Sequence, residues 1–368
     1  MVSRPLTVSP GRTRTSKNIK LAVIGEGDKT IVELLAAYSS NTSFTKVDGI
    51  AFFDSAGGFV QTKEQELVKD IDSIPLPAWD LFPIEHYVLT RGPNIANRER
   101  YMALLSGRGC SFQCNFCYRM DKGLRIRSPE SIIDEMLMLK EKYTISYFDF
   151  RDELLMNSEA RVVSLCKAFL AEKLKIRWMC CGRLNFAKPA VLKLMKEAGC
   201  VFIHYGIESL DNAALKIMRK ALTVKIITEG VENTLAAGIS PGLNIIFGNI
   251  GETADILRRD VRFLLKYDDH AQLRTIRPVT PYPGCPLYYH AIQKGLLDGP
   301  EDFYERKHVN SDILSVNFTD MSDDEFHQAL FEANSILIER YFSDQKKKME
   351  EAAKRLYIQK DTSFRGFR

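Results

Sequence analysis

Short apolar runs alternate with stretches whose apolar residues recur every third or fourth position through most of this chain, a pattern of strands each followed by a helix. The first pair is a strand at residues 102–105 and a helix opening at Ser128-Pro129, where a capping serine precedes a proline at the first helical position. Further pairs are predicted at 145–150 with 159–172, 176–181 with 189–198, and 201–207 with 224–237, the last carrying an extra short helix at 213–219. Strands at 243–247 and 273–277, with helices at 254–267 and 287–294, complete six units. Six such units predict an α/β fold, a partial (β/α)6 TIM-like barrel.

The flanks read differently. Residues 21–25 form a short strand and 30–38 a helix, joined by a turn at 25–28. Two further strands at 49–53 and 58–61 enclose a hairpin turn. The two prolines of 74–80 favour an extended linker. After residue 300 the pattern is helical. Ser322-Asp-Asp-Glu325 is a capping box for a helix running toward Tyr341, and 346–356 is a second, charged helical stretch with a solvated face. Residues 1–20 carry basic and hydroxyl side chains without an acid and read as a flexible tail. The expected division is a tail at 1–20, a small α/β unit with linker at 21–90, the barrel at 91–299 and a helical region at 300–368.

A net charge of +4 over 368 residues is too small and dispersed to indicate nucleic acid, and no apolar run reaches the length of a membrane span. A chain this long needs no disulfide staples, so its eight cysteines fit a reducing, cytoplasmic setting. Cys166, Cys180, Cys181, Cys200 and Cys285 lie in apolar segments and read as small buried hydrophobes. Cys110, Cys114 and Cys117 form a C-x3-C-x2-C triplet directly after the first barrel strand, where parallel barrels carry their reactive loops. Three thiolates are one fewer than a closed zinc site or a fully ligated cubane requires. A cubane on three cysteines leaves one iron open to a further ligand. Gly107 and Gly109 give the backbone room beside it.

This spacing resembles the cluster loop of the radical S-adenosylmethionine (radical SAM) superfamily. The likeness extends over roughly residues 23–294 through Asp152-Glu153, Arg183, Gly206-Ile-Glu-Ser209, Gly248-Asn-Ile-Gly-Glu-Thr253 and the run from Pro281 to Tyr288, in the order of the subgroup that often bears a cobalamin-binding domain. The resemblance implies a 4Fe-4S cluster on Cys110, Cys114 and Cys117, and S-adenosylmethionine chelating the open iron. It further implies that Phe116 shields the cluster, that Asp152 or Glu153 and Arg183 hold the methionyl part, and that Glu208, after Gly206, serves the ribose or substrate side as the catalytic candidate. Gly248, Gly251 and Glu252 would lie against the adenine. A small-molecule or biosynthetic-intermediate substrate and a reductant such as flavodoxin or ferredoxin complete the expected partners.

The chain also departs from that subgroup. Only the final strand, turn and helix of a cobalamin-type domain are recognisable, at 23–38, so residues 21–90 read as a remnant of that domain plus linker. No Asp-x-His-x-x-Gly sequence occurs, and Ile250 stands where relatives carry proline. Cobalamin use is therefore left open. The expected activity is reductive cleavage of S-adenosylmethionine followed by methyl transfer, rearrangement or oxidation of an organic substrate. The rival is a non-catalytic cluster-binding or assembly module, against which the complete triplet argues.

Overall fold

The computed structural model describes residues 21–96, 98–119 and 123–364, so the tail expected at 1–20 lies outside the described residues. Its centre is a six-stranded, wholly parallel sheet in the order β11-β10-β9-β8-β7-β4, formed by β4 (Tyr101–Leu104), β7 (Tyr147–Phe150), β8 (Arg177–Gly182), β9 (Cys200–Glu208), β10 (Ser240–Phe247) and β11 (Arg277–Pro278). Each strand lies beside its predecessor in the sheet, the winding of a (β/α) barrel. With six strands the barrel is open, as the α/β reading expected.

Helices α2 (Pro129–Tyr143), α3 (Glu159–Ala171), α4 (Pro189–Glu197), α6 (Val224–Ala236) and α7 (Ala254–Lys266) follow successive strands, with the short α5 (Asn212–Ile217) between β9 and α6. Hydroxyl caps fix several of their starts: Ser128, Ser158, Thr223 and Thr253 each accept from a backbone N–H of the first turn. Strand residues alternate between two faces. Phe148, Phe150, Trp178, Ile203, Tyr205, Leu243, Ile245 and Phe247 face the helices and form the main core. The opposite, concave face carries a smaller apolar layer of Tyr101, Tyr147, Met179 and Phe202 near the amino ends of the strands.

The small unit at the start holds β1 (Leu21–Val23), α1 (Gly27–Ser39), β2 (Ile50–Phe53) and β3 (Phe59–Gln61), whose strands form an antiparallel sheet. Its attachment to the barrel is polar. Arg125 donates to Glu26 at 2.6 and 2.9 Å and to the Val68 carbonyl, Arg108 donates to Glu26 and Asp28, and Trp79 donates to Glu135 at 2.9 Å.

Three elements differ from expectation. The cysteine loop sits at the tip of a hairpin, β5 (Gly107–Gly109) with β6 (Leu124–Ile126), that follows β4. The strand expected at 273–277 shrinks to Arg277–Pro278 because the Arg274 guanidinium turns inward to the carbonyls of Pro241, Leu264 and Tyr267. The two helices expected after Ser322 are one, α9 (Asp323–Tyr357), since no glycine or proline interrupts it. The capping box at its start is present as expected. Helix α8 (Pro286–Gln293) precedes it.

Candidate functional site

The cysteine loop leaves β5 at Gly109, which takes φ +83°, a value glycine adopts without strain. Cys114 is buried, Cys110 half-buried and Cys117 the most exposed of the three. Cys117, though it reaches solvent, is crowded by the surrounding chain, which pushes its thiol up to about 12, with Cys114, Glu153 and Cys110 adding to the rise. Cys110 is raised by burial first and then by Glu153 and Cys114. The Cys110 and Cys117 thiols therefore resist becoming anions unless a cation joins them.

Buried Asn115 locks the loop to three elements. Its side chain exchanges hydrogen bonds with Asn249, at 3.3 and 3.1 Å, and donates to the Ile217 carbonyl at 3.2 Å. Its backbone N–H donates to Met218 and its carbonyl accepts from Leu287, both at 2.9 Å. The triplet is thereby tied to the end of α5, the loop after β10 and the start of α8.

Two buried cations flank this loop. Arg183, at the end of β8, stacks on Phe112 at 3.6 Å, donates to the Lys220 carbonyl, and lies against Cys114. Lys220, after α5, donates to Glu208 at 2.8 Å and faces the Phe116 ring. Glu208 ends β9 in the left-handed region, φ +63°, which turns its carboxylate back over the strand. Gly206 makes that possible: a Cβ there would lie 2.2 Å from Glu208 Oε1 and 2.9 Å from Lys220 Nζ. The Phe116 ring itself packs on the apolar cluster of Val279, Cys285 and Leu287.

Asp152 sits behind the loop rather than facing it. It accepts from the Ser106 N–H at 2.6 Å and from the Ser106 hydroxyl, and pairs with Arg161 at 3.3 Å, so it braces the chain entering β5. Burial raises its carboxyl. Glu153 is exposed beside Cys110 and Cys117. Glu252 turns under its own loop, accepting from the N–H groups of Gly248 and Asn249 at 2.9 Å; its other oxygen is buried without a hydrogen bond. Burial pushes this carboxyl up to about 7. Gly248, at φ +100°, leaves space that the Phe326 ring of α9 fills, and Gly251 faces Ile217.

Toward the carboxyl ends of the strands the concave face becomes polar. Tyr101 donates to Asp149 at 2.7 Å, Arg151 pairs with Asp149 at 2.5 Å, and His204 lies next to Cys181 across the β8–β9 pairing. Burial first, and Arg151 second, push the imidazole down to about 4, so it is neutral near pH 7. Asn244, opposite Gly206, is exposed. A cavity of about 400 Å³ opens between the 71–79 segment and the end of β4, with Leu105, Arg108 and Arg151 among its lining residues.

The structure thus gathers Cys110, Cys114, Cys117, Phe116, Arg183, Gly206 and Glu208 around one loop, with Gly248 and Gly251 in the loop after β10. Asp152 and Glu252 serve as internal braces. Sequence reasoning missed Asn115, Lys220, Arg151 and His204. Strand alternation placed Arg151 and His204 on one face, but attention to strand ends alone passed over them. Lys220 had no local signal. Cys181, expected in the core, is half-exposed on the concave face, whereas Cys166, Cys180, Cys200 and Cys285 are buried as expected.

The sequence profile of the Radical SAM superfamily matches residues 104–264, from β4 into α7. An uncharacterized methyltransferase of Pyrococcus horikoshii is 30% identical over 297 residues, covering 79% of this chain and 62% of that protein. The anaerobic magnesium-protoporphyrin IX monomethyl ester cyclase of Cereibacter sphaeroides is 27% identical over 285 residues, 73% of this chain and 44% of its own length. The chain therefore spans about half to two thirds of these relatives. Among solved structures, the methyltransferase TsrM of Kitasatospora setae, with cobalamin and a [4Fe-4S] cluster bound, superposes with a TM-score of 0.66 at 17% identity over 87% of this chain and 68% of that one. The cobalamin-dependent radical enzyme OxsB superposes at 0.58 with 19% identity, covering 75% of this chain and 39% of that one. The matched segment, residues 104–264, with its three-cysteine loop beyond the first strand of an open parallel barrel, is a radical SAM domain.

Proposed function

We propose that this chain cleaves S-adenosylmethionine reductively and directs the resulting radical at a small molecule held against the concave face. The observation that carries the reading is the cysteine loop, clamped by Asn115 and flanked by Arg183 and Lys220 at the carboxyl edge of the sheet. A radical SAM domain implies the 4Fe-4S cluster and S-adenosylmethionine. The donor set fits a cluster better than one ion. Three cysteines are one ligand short of a closed tetrahedral zinc site, whereas on a cubane they leave one iron open to a cofactor.

A reduced cluster held here would supply the electron for reductive cleavage of S-adenosylmethionine, with methionine as the leaving group. Cys110, Cys114 and Cys117 would hold three irons. Glu208 takes one of the three donors of Lys220 and so orients the ammonium, leaving the others for an anionic group such as the cofactor carboxylate. Phe112 and Phe116 keep water from the loop. Arg151, His204 and Asn244 offer a guanidinium, a neutral imidazole and an amide to a polar substrate, and the cavity beside Arg151 gives it room.

Methyl transfer is the outcome favoured by the 30% identity to a methyltransferase. Cobalamin is bound in both solved relatives named above. Among the described residues the small unit offers an antiparallel sheet, without the row of parallel strand ends from which a doubly wound domain builds a ligand crevice. We expect the chain as it stands to bind hydroxocobalamin no tighter than millimolar. Anaerobic reconstitution with iron and sulfide, followed by a strong reductant, should yield 5′-deoxyadenosine, and Cys110→Ala, Cys114→Ala or Cys117→Ala should abolish it. A reconstituted chain that forms none under any reducing condition would favour the rival reading, a non-catalytic cluster-binding or assembly module.

A further inference from the structure

Helices of a (β/α) barrel run back to the amino-terminal edge of the sheet, so the end of α7 lies opposite the cysteine loop. There the connection to β11 brings Asp268 and His270 against Asp344 of α9. His270 Nδ1 stands 3.0 Å from a carboxylate oxygen of each. The three ligand atoms all lie within 4.8 Å of one another. The side chains are largely enclosed, with exposures of 10% for Asp268, 24% for His270 and 13% for Asp344.

We infer that Asp268, His270 and Asp344 bind a divalent transition-metal ion that pins α9 to the barrel. An imidazole N–H can point at only one of two flanking carboxylates, and here it satisfies neither. His270 Nδ1 is buried and makes no hydrogen bond, and Asp344 Oδ2 beside it meets only the Arg340 guanidinium, at 3.1 Å. Three unsatisfied or converging donors define a point that a cation can fill. Bonds of about 2.0–2.2 Å to one nitrogen and two oxygens would hold the donors roughly 3.0–3.6 Å apart, and the two nitrogen–oxygen separations are 3.0 Å.

The surrounding charge permits it. Asp268, Asp269 and Asp344 face Arg274, 3.0 Å from Asp269 and 3.8 Å from Asp268, and Arg340, 3.1 Å from Asp344. Three carboxylates against two guanidiniums leave one negative charge beside the imidazole. One imidazole with two carboxylates suits zinc, iron(II) or manganese rather than a soft monovalent ion, and water completes the coordination. The position explains its use. The buried residues of α9 are Phe326, Leu330, Ala333 and Leu337, so Asp344 is an anchor beyond the last apolar contact.

The test uses the full chain with its cluster reconstituted, titrated anaerobically with Zn²⁺ alone and read by equilibrium dialysis with metal analysis, alongside thermal unfolding. We expect about one zinc per chain at micromolar or tighter dissociation constant, and a higher unfolding midpoint with zinc present. His270→Ala and Asp344→Asn should each weaken binding at least tenfold, while cluster iron and 5′-deoxyadenosine formation stay at wild-type levels in Asp344→Asn. Should His270→Ala fail to fold, Asp344→Asn, a near-isosteric change, decides alone. Zinc held only at millimolar concentration, binding unchanged in Asp344→Asn, binding lost only with the cluster cysteines, or an unfolding midpoint indifferent to zinc would each overturn the proposal in favour of an imidazolium bridging two carboxylates.

Discussion

Replacing Asn115 with alanine removes the clamp on the cysteine loop without touching a cysteine. Two side-chain bonds to Asn249 and one to the Ile217 carbonyl disappear, while the backbone bonds to Met218 and Leu287 remain. The Asn249 amide, fully buried, keeps its bond to the Ile250 N–H but loses the acceptor for its own N–H. At about 1 kcal/mol per neutral hydrogen bond, and about 1–3 kcal/mol for a buried donor left unpaired, the loop should become easier to open by roughly 2–4 kcal/mol. That corresponds to a roughly thirty- to seven-hundred-fold fall in protection. Amide hydrogen exchange over residues 110–119, together with the rate at which a chelator strips iron from the reconstituted chain, measures it. Asn249→Ala should produce a similar loss, and the double variant should cost about 1–3 kcal/mol less than the sum. Exchange in Asn115→Ala within threefold of wild type would refute the reasoning, because the loop would then be held by its backbone contacts alone.

Three further outcomes follow from the same geometry. Lys220→Met leaves the Glu208 carboxylate buried and unpaired and should destabilise by about 3–5 kcal/mol in chemical denaturation, while adding Glu208→Gln should recover most of the loss. Glu252 is raised by burial from 4.5 to about 7, and Asp260 from 3.8 to about 8. For a raised acid the stabilising contribution is full below the unfolded value and is lost as pH climbs through the folded one. The unfolding midpoint should therefore fall between about pH 5 and 8, and Glu252→Gln and Asp260→Asn should each flatten that slope. Gly248→Ala would set a Cβ 2.6 Å from the Phe326 ring at a φ of +100°, so α9 should detach locally, seen as faster exchange around Phe326.

The barrel was legible because each unit carries its own local signals: an apolar run for the strand and helical spacing after it, with Ser128-Pro129 marking one start. The cysteine triplet was legible because thiols at that spacing have few other uses. What escaped depended on partners distant in sequence. Gly107-Arg-Gly109 and Leu124-Arg-Ile126 carry no strand alternation, and their hairpin rests on Arg108 and Arg125 reaching Glu26, some eighty to a hundred positions earlier. The run 273–277 is apolar enough for a strand, but its buried arginine found carbonyl partners instead. Lys220 became a site residue only when α5 carried it back over Glu208. Asp152 and Glu252 also make contacts that the sequence did not show, since a carboxylate at a strand end can brace its own loop.

An open barrel has two edges that a closed one lacks, and an uncovered edge strand invites pairing with another chain. Here each edge is occupied by a segment outside the core repeat. Beside β4 lies the linker that follows the small initial unit, with the Tyr101 N–H donating to the Val88 carbonyl at 3.4 Å and Trp79 donating to Glu135 of α2. At β11 the side chain of Asn334 donates to the Ile276 carbonyl at 3.0 Å and accepts from its N–H at 2.8 Å, so an amide on α9 reproduces the paired bonds of a missing strand. The same helix seats Phe326 against Phe247 and Gly248, immediately before Asn249, which holds the cysteine loop through Asn115. Edge protection and loop support are therefore one structure. A change that lifts α9 exposes β11 and loosens the loop from its far side, without altering any residue that would touch the cofactor.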